Sequence, residues 1–234
     1  MSAGALFLHS GGPLGPEGRA ALPAFLGGRR RVAFVTAANL HDETTYFERV
    51  QASLVPPPPE GAGLDLVHLR WNDRPLDTLA RVDALFMGGG NTYALLGRLR
   101  EAGLVEAIRD RVAAGMPYLG ASAGSNVAGP NIQTTNDWNV VALPRFDALA
   151  LVAFNINPHY KEMDPAMAAF SETRDDRIRE YHVVNANPVV GLEEGSWVVV
   201  DNGMARAHGT ARVKIFRRGE PPVWHSPGDP LPIR

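Results

Sequence analysis

Cysteine is absent from the 234 residues, which excludes disulfides, thiolate metal ligands and a cysteine nucleophile, and fits a reducing, cytoplasmic location. An excess of one charge is also lacking: 23 Lys and Arg stand against 25 Asp and Glu, a formal net charge of −2. Without a basic excess there is no long-range attraction for nucleic acid or an anionic membrane. Any anionic substrate must therefore be held by local cations. Long apolar runs are missing too. The opening MSAGALFLHSGG has no basic leader and only a very short apolar stretch, so neither a secretory signal nor a membrane span is expected. No His-x-x-x-His or His/Asp cluster stands near His68, and neither a metal nor a cofactor is expected. No linker, repeat or low-complexity segment divides the chain, so residues 1–234 read as a single domain. The composition leaves a homodimer open.

What is present, in the first 130 residues, is short buried strands alternating with amphipathic helices. Ala5 to His9, Val32 to Thr36, Leu64 to Leu69, Asp83 to Met87 and Pro117 to Leu119 are brief apolar stretches ended by turn residues. Between them, Glu17 to Leu26, His41 to Leu54, a segment opening Tyr93-Ala94-Leu95-Leu96 and Gly103 to Ala114 carry helical periodicity. That alternation predicts an α/β fold, a doubly wound and mostly parallel sheet with helices on both faces, whose ligand crevice lies at the carboxyl ends of the strands. Beyond residue 130 the texture changes. A polar stretch, a charged helix over Glu172 to His182 and several short strands follow, and the last dozen residues, rich in proline, read as a surface tail.

Two of the predicted strand ends carry chemistry. Gly120-Ala121-Ser122-Ala123-Gly124 has the G-x-S-x-G spacing that lifts a serine above a sheet on a strained turn, and a helix opening just behind it directs free N–H groups toward a developing oxyanion. Gly88-Gly89-Gly90-Asn91-Thr92 lacks the signatures of a phosphate loop and reads as an oxyanion loop beside it. A serine needs a general base, and the base needs an acid to orient it. His159, behind Pro158 at the end of an apolar run, is the base this order suggests. Glu193, Glu194 and Asp137 are the candidate acids. The order Ser, His, acid is not that of α/β-hydrolases.

Taken together, GGGNT at Gly88 to Thr92, GASAGSN at Gly120 to Asn126, TTND at Thr134 to Asp137, INPHY at Ile156 to Tyr160, ETR at Glu172 to Arg174 and GLEEGSW at Gly191 to Trp197 resemble the peptidase E family of aspartyl dipeptidases. The resemblance implies a fold like that of class I glutamine amidotransferase domains, of the flavodoxin-like kind, and a serine peptidase that cleaves Asp-Xaa dipeptides. It implies Ser122 as nucleophile, His159 as base and Glu194 as third member. It further implies Gly90 and Ala123 as oxyanion donors and Arg174 as the reader of the aspartate side chain. Two departures stand out: Ala121 precedes the nucleophile where the family can carry a bulky residue, and Glu193 adds a second acid. A cyanophycinase-like exopeptidase and an inactive ligand-binding member of the same fold are the alternative readings.

Overall fold

The computed structural model describes residues 4–168 and 170–233. In chain order the elements are β1 (Leu6–His9), α1 (Pro16–Leu26), β2 (Arg31–Val35), α2 (Glu43–Leu54), β3 (Asp65–Leu69), α3 (Pro75–Ala80), β4 (Ala84–Met87), α4 (Thr92–Glu101), α5 (Leu104–Ala113), β5 (Tyr118–Ala121) and α6 (Ala123–Asn126). They continue with β6 (Asn155–Asn157), α7 (Pro165–Ala168), α8 (Arg174–Val184), β7 (Val189–Leu192), β8 (Ser196–Asp201), β9 (Met204–Gly209), β10 (Val213–Phe216), β11 (Val223–His225) and β12 (Pro230–Leu231).

The eight-stranded main sheet has the order β12-β9-β8-β1-β5-β4-β2-β3. From β3 to β1 all pairs are parallel, whereas β8, β9 and β12 add an antiparallel edge. The expectation of a mostly parallel sheet thus describes its first five strands. Alternate residues of each central strand go to opposite faces. Leu6, Leu8, Val35, Leu85 and Met87 pack with Leu95, Leu99, Ile108 and Val112 of α4 and α5, while Phe7, Phe34, Phe86 and Leu119 pack with α1 and α2 through Leu22, Leu26 and Leu54. Burial on both faces is why these strands read as continuous apolar runs.

A second sheet, order β11-β10-β7-β6, was not foreseen. Ile156, Val190, Leu192 and Ile215 join the core on the α4 and α5 side, and Tyr160, Val189 and Phe216 pack under Ile178 and Tyr181 of α8. The expected surface tail needs correction. Val223–His225 pairs with β10, Pro230–Leu231 pairs with β9, and Leu231 and Ile233 are buried. The prolines occupy the edge and connecting positions that tolerate a missing N–H. Among the described residues no helix is long and apolar enough to cross a membrane.

Candidate active site

Strands β4 and β5 are hydrogen-bonded neighbours, so the loop after one lies beside the turn after the other. A Cβ built on Gly89 would sit only 3.0 Å from the Ser122 Cβ. Ser122 itself adopts φ 54° and ψ −113°, a conformation a non-glycine residue holds only when its surroundings impose it. The imposition is visible. The Ser122 N–H donates to the His9 carbonyl at 3.2 Å, and the Ser122 carbonyl accepts from the N–H groups of Ser125 and Asn126. Ser125 Oγ donates to the carbonyls of His9 and Gly120. Gly124 is required by close approach, because any Cβ there would overlap the Met87 carbonyl.

His159 comes from a different sheet. It follows β6 across Pro158 and also has positive φ, 54°. Its N–H donates to Ser10 Oγ at 3.0 Å, and Ser10 Oγ donates in turn to the Leu192 carbonyl at 2.9 Å. Polar side chains hold the strand before it. Asn126 and Thr134 both donate to the Ile156 carbonyl, Asn157 donates to the Thr134 carbonyl and to Asn136 Oδ1, and Asn136 donates to the Pro158 carbonyl. In this frame His159 Nε2 lies 2.7 Å from Ser122 Oγ, and His159 Nδ1 is in contact with Glu194 Oε1. Gly11 leaves room for the imidazole, since a Cβ there would overlap its Cε1.

Of the three candidate acids only Glu194 meets the histidine. Glu193 turns the other way and accepts from the Arg212 N–H at 3.1 Å. Asp137 is a capping residue: its Oδ2 accepts from the Thr92 N–H and hydroxyl at 2.7 and 2.6 Å at the start of α4. The TTND motif therefore braces the loop from Gly88 to Thr92. Asn91 caps the same helix through the Ala94 N–H. The Gly89 N–H is taken by Tyr46 Oη at 2.9 Å, whereas among the described residues the N–H groups of Gly90 and Ala123 donate to no protein acceptor. Those two donors are available to an oxyanion.

Arg174 opens α8, after a capping box in which Thr173 and Asp176 each accept from the other's backbone N–H. It is half-buried, and its only hydrogen-bond acceptor among the described residues is Asn136 Oδ1. Burial first, and then the charge of Arg177, lower its guanidinium below the ordinary arginine value. Arg177 and Arg179, by contrast, pair with Glu172 and Asp176.

One residue at the site escaped the sequence reading. His9, at the end of β1, is 3% exposed and lines the same cavity as Ser122. Burial depresses its imidazole to about 4, and its Nδ1 has no hydrogen-bond partner among the described residues. Its place at the carboxyl end of the first strand was the available signal. Among the described residues no group of three or more His, Asp and Glu side chains is placed to hold a metal ion.

Comparison with known proteins adds to this geometry. Residues 6–208 match the model of peptidase family S51. Over 198 residues the chain is 44% identical to peptidase E of Streptomyces coelicolor, covering 85% of this chain and 79% of that protein. It is 41% identical over 189 residues to a Drosophila melanogaster protein named as a probable alpha-aspartyl dipeptidase, covering 80% of this chain and 76% of the relative. The crystal structure of a peptidase from an acI-B1 actinobacterium shares the fold, with a TM-score of 0.77 over 98% of this chain and 97% of that one at 16% identity.

Proposed function

The chain belongs to peptidase family S51, and from that premise we propose that it is a cytoplasmic serine dipeptidase that removes an N-terminal aspartate from Asp-Xaa through Ser122, His159 and Glu194. The observation that carries the mechanism is the 2.7 Å contact from His159 Nε2 to Ser122 Oγ, with Glu194 on the other ring nitrogen. His159 takes the serine proton as Oγ attacks the scissile carbonyl. The tetrahedral oxyanion is met by the Gly90 and Ala123 N–H groups. His159 then gives its proton to the leaving amine, and water repeats the sequence on the acyl-enzyme. Glu194 keeps the imidazole in the tautomer this exchange needs.

Selectivity for aspartate is supported by the state of Arg174. A half-buried guanidinium with no carboxylate partner among the described residues is an incomplete ion pair, and a substrate carboxylate completes it bidentately. The test is a panel of Xaa-Leu dipeptides. Asp-Leu should far exceed Asn-Leu, and Arg174→Ala should lower kcat/KM for Asp-Leu by roughly 10²-fold while changing Asn-Leu much less. Ser122→Ala should lose on the order of 10⁴-fold, and Glu194→Gln roughly 10³-fold, with Glu193→Gln nearly silent. Wild-type turnover by Ser122→Ala, or a crippled Glu193→Gln beside an active Glu194→Gln, would end this assignment.

A further inference from the structure

Helix α2 does not pack tightly onto the sheet along its whole length. Tyr46, Arg49, Val50, Ser53 and Leu54 recur at helical spacing on one face, and all five border a cavity of about 540 Å³ that reaches Ser122, Gly90 and His159. Of α2 only Leu54 is fully buried. The opposite wall is apolar, built from Phe7, Phe86 and Leu119. Ala121 also lines the cavity, so the small residue before the nucleophile leaves open space where a bulky one would intrude. The size is that of a small-ligand pocket.

The charge of this cavity is one-sided. No Asp or Glu lines it, and Arg49 is its one permanently charged lining residue among those described. Arg49 lies over the Tyr46 ring, 5.5 Å from its centre. Tyr46 Oη in turn holds the Gly89 N–H beside the oxyanion donors. The cation is thus tied to the reaction centre and has no carboxylate partner among the described residues. Arg174 does not border the cavity; it is joined through Asn136 to the loop bearing His159. With the aspartate side chain assigned to Arg174, the residue left to fill the α2 cavity is the departing one.

Resting on the Asp-Xaa reading above, we propose that the α2 cavity is the leaving-residue subsite, that it takes an apolar side chain, and that Arg49 pairs with the free C-terminal carboxylate of the departing amino acid. A dipeptide would then be favoured over a longer peptide because only a dipeptide offers a carboxylate at that distance from the scissile bond.

The deciding experiment compares kcat/KM for Asp-Leu and Asp-Leu amide. The wild-type protein should favour the free acid by about thirtyfold or more, mainly in KM, and Arg49→Met should bring the two substrates to near equality. Val50→Trp, which fills the cavity from the same stripe, should lower the Asp-Leu to Asp-Gly ratio by roughly tenfold. An acid-to-amide ratio that Arg49→Met leaves unchanged overturns the proposal. So does an Arg49→Met protein that loses the distinction between Asp-Leu and Asn-Leu, since Arg49 would then read the aspartate side chain. If N-terminal aspartate proves not to be selected, the reading of Arg174 fails separately. The acid-to-amide comparison is then made on whichever Xaa-Leu dipeptide is cleaved best. Absence of hydrolysis of every dipeptide overturns both.

Discussion

His9 shows how a single residue couples the site to the stability of the whole protein. Its imidazole is buried against the reaction centre, and burial, opposed in part by Glu194 and reinforced by His159, depresses it to about 4 from an ordinary 6.5. The folded protein therefore refuses a proton that the unfolded chain accepts between those two values. The stability conferred by a neutral His9 is fully present above pH 6.5 and is lost as the pH falls toward 4, to a total of about 3 kcal/mol. Denaturant unfolding at pH 7.5 and pH 4.5 should give a stability difference smaller by roughly 2–3 kcal/mol in His9→Gln than in the wild-type chain. Parallel pH dependences in the two proteins would mean that His9 is already charged when folded. At this scale the sequence was informative for residues whose neighbours advertise them. Ser122 sits among small residues that its turn requires, and His159 sits behind a proline. His9 and Ser10 had no signal beyond their place at the end of the first strand, because their roles arise from β1 lying between β5 and β8, a fact of topology that local pattern does not carry.

Among the elements, α8 is the one that bears on the proposed reading of Arg174, since it presents that residue from its first position. The polar anchor beneath that turn is Lys214 of β10, whose Nζ donates to Tyr160 Oη, Glu162 Oε1 and Asp175 Oδ2 at 3.0, 2.8 and 2.9 Å. Burial alone would lower the Lys214 ammonium, but these partners outweigh it and raise it above the ordinary lysine value. Lys214→Met should leave the Asp175 carboxylate without its cation at the start of α8, held by the Tyr160 hydroxyl alone, costing about 2 kcal/mol and loosening Arg174. The expected signature is a fall in the Asp-Leu to Asn-Leu ratio of about tenfold, beyond any general loss of activity. A destabilised protein with its ratio intact would make the network purely structural. Elements with strong period were legible: α1, α2 and α5 lie within two residues of the expected bounds and α4 opens one residue before its expected start, while α8, read as a charged helix, is shifted by two residues. The unforeseen ones are short. Helix α3 has six residues, β6 and β11 have three each and β12 has two, and segments of that length are specified by the partner they pair with more than by their own composition.

The molecule as a whole brings Ser122 from the main sheet against His159 and Glu194 from the second sheet and the turn after β7, so the geometry of the proposed triad depends on how the two sheets dock. The C-terminal segment contributes to that docking from both sides. Val223–His225 extends the second sheet along β10, and Pro230–Leu231 extends the main sheet along β9. Trp224 stands at 5.7 Å against the ring of Tyr160, the residue after His159, and at 3.9 Å beneath the guanidinium of Arg212, whose backbone N–H donates to Glu193 next to Glu194. Leu231 and Ile233 are buried, and two such side chains are together worth about 3–6 kcal/mol of removed apolar surface. Ending the chain after Pro222 should therefore lower Tm by roughly 6–24 °C, at about 2–4 °C per kcal/mol for a protein of this size. It should also reduce kcat well below Tm, because the second sheet loses Trp224, which packs against Tyr160 next to His159. A Trp224→Ala substitution separates the two effects. It keeps Leu231 and Ile233 in place, so it should reproduce part of the kcat loss with a smaller thermal shift. A truncated chain with unchanged Tm and kcat would mean that residues 223–234 are the surface tail their prolines suggest, and that the two sheets hold their register without them.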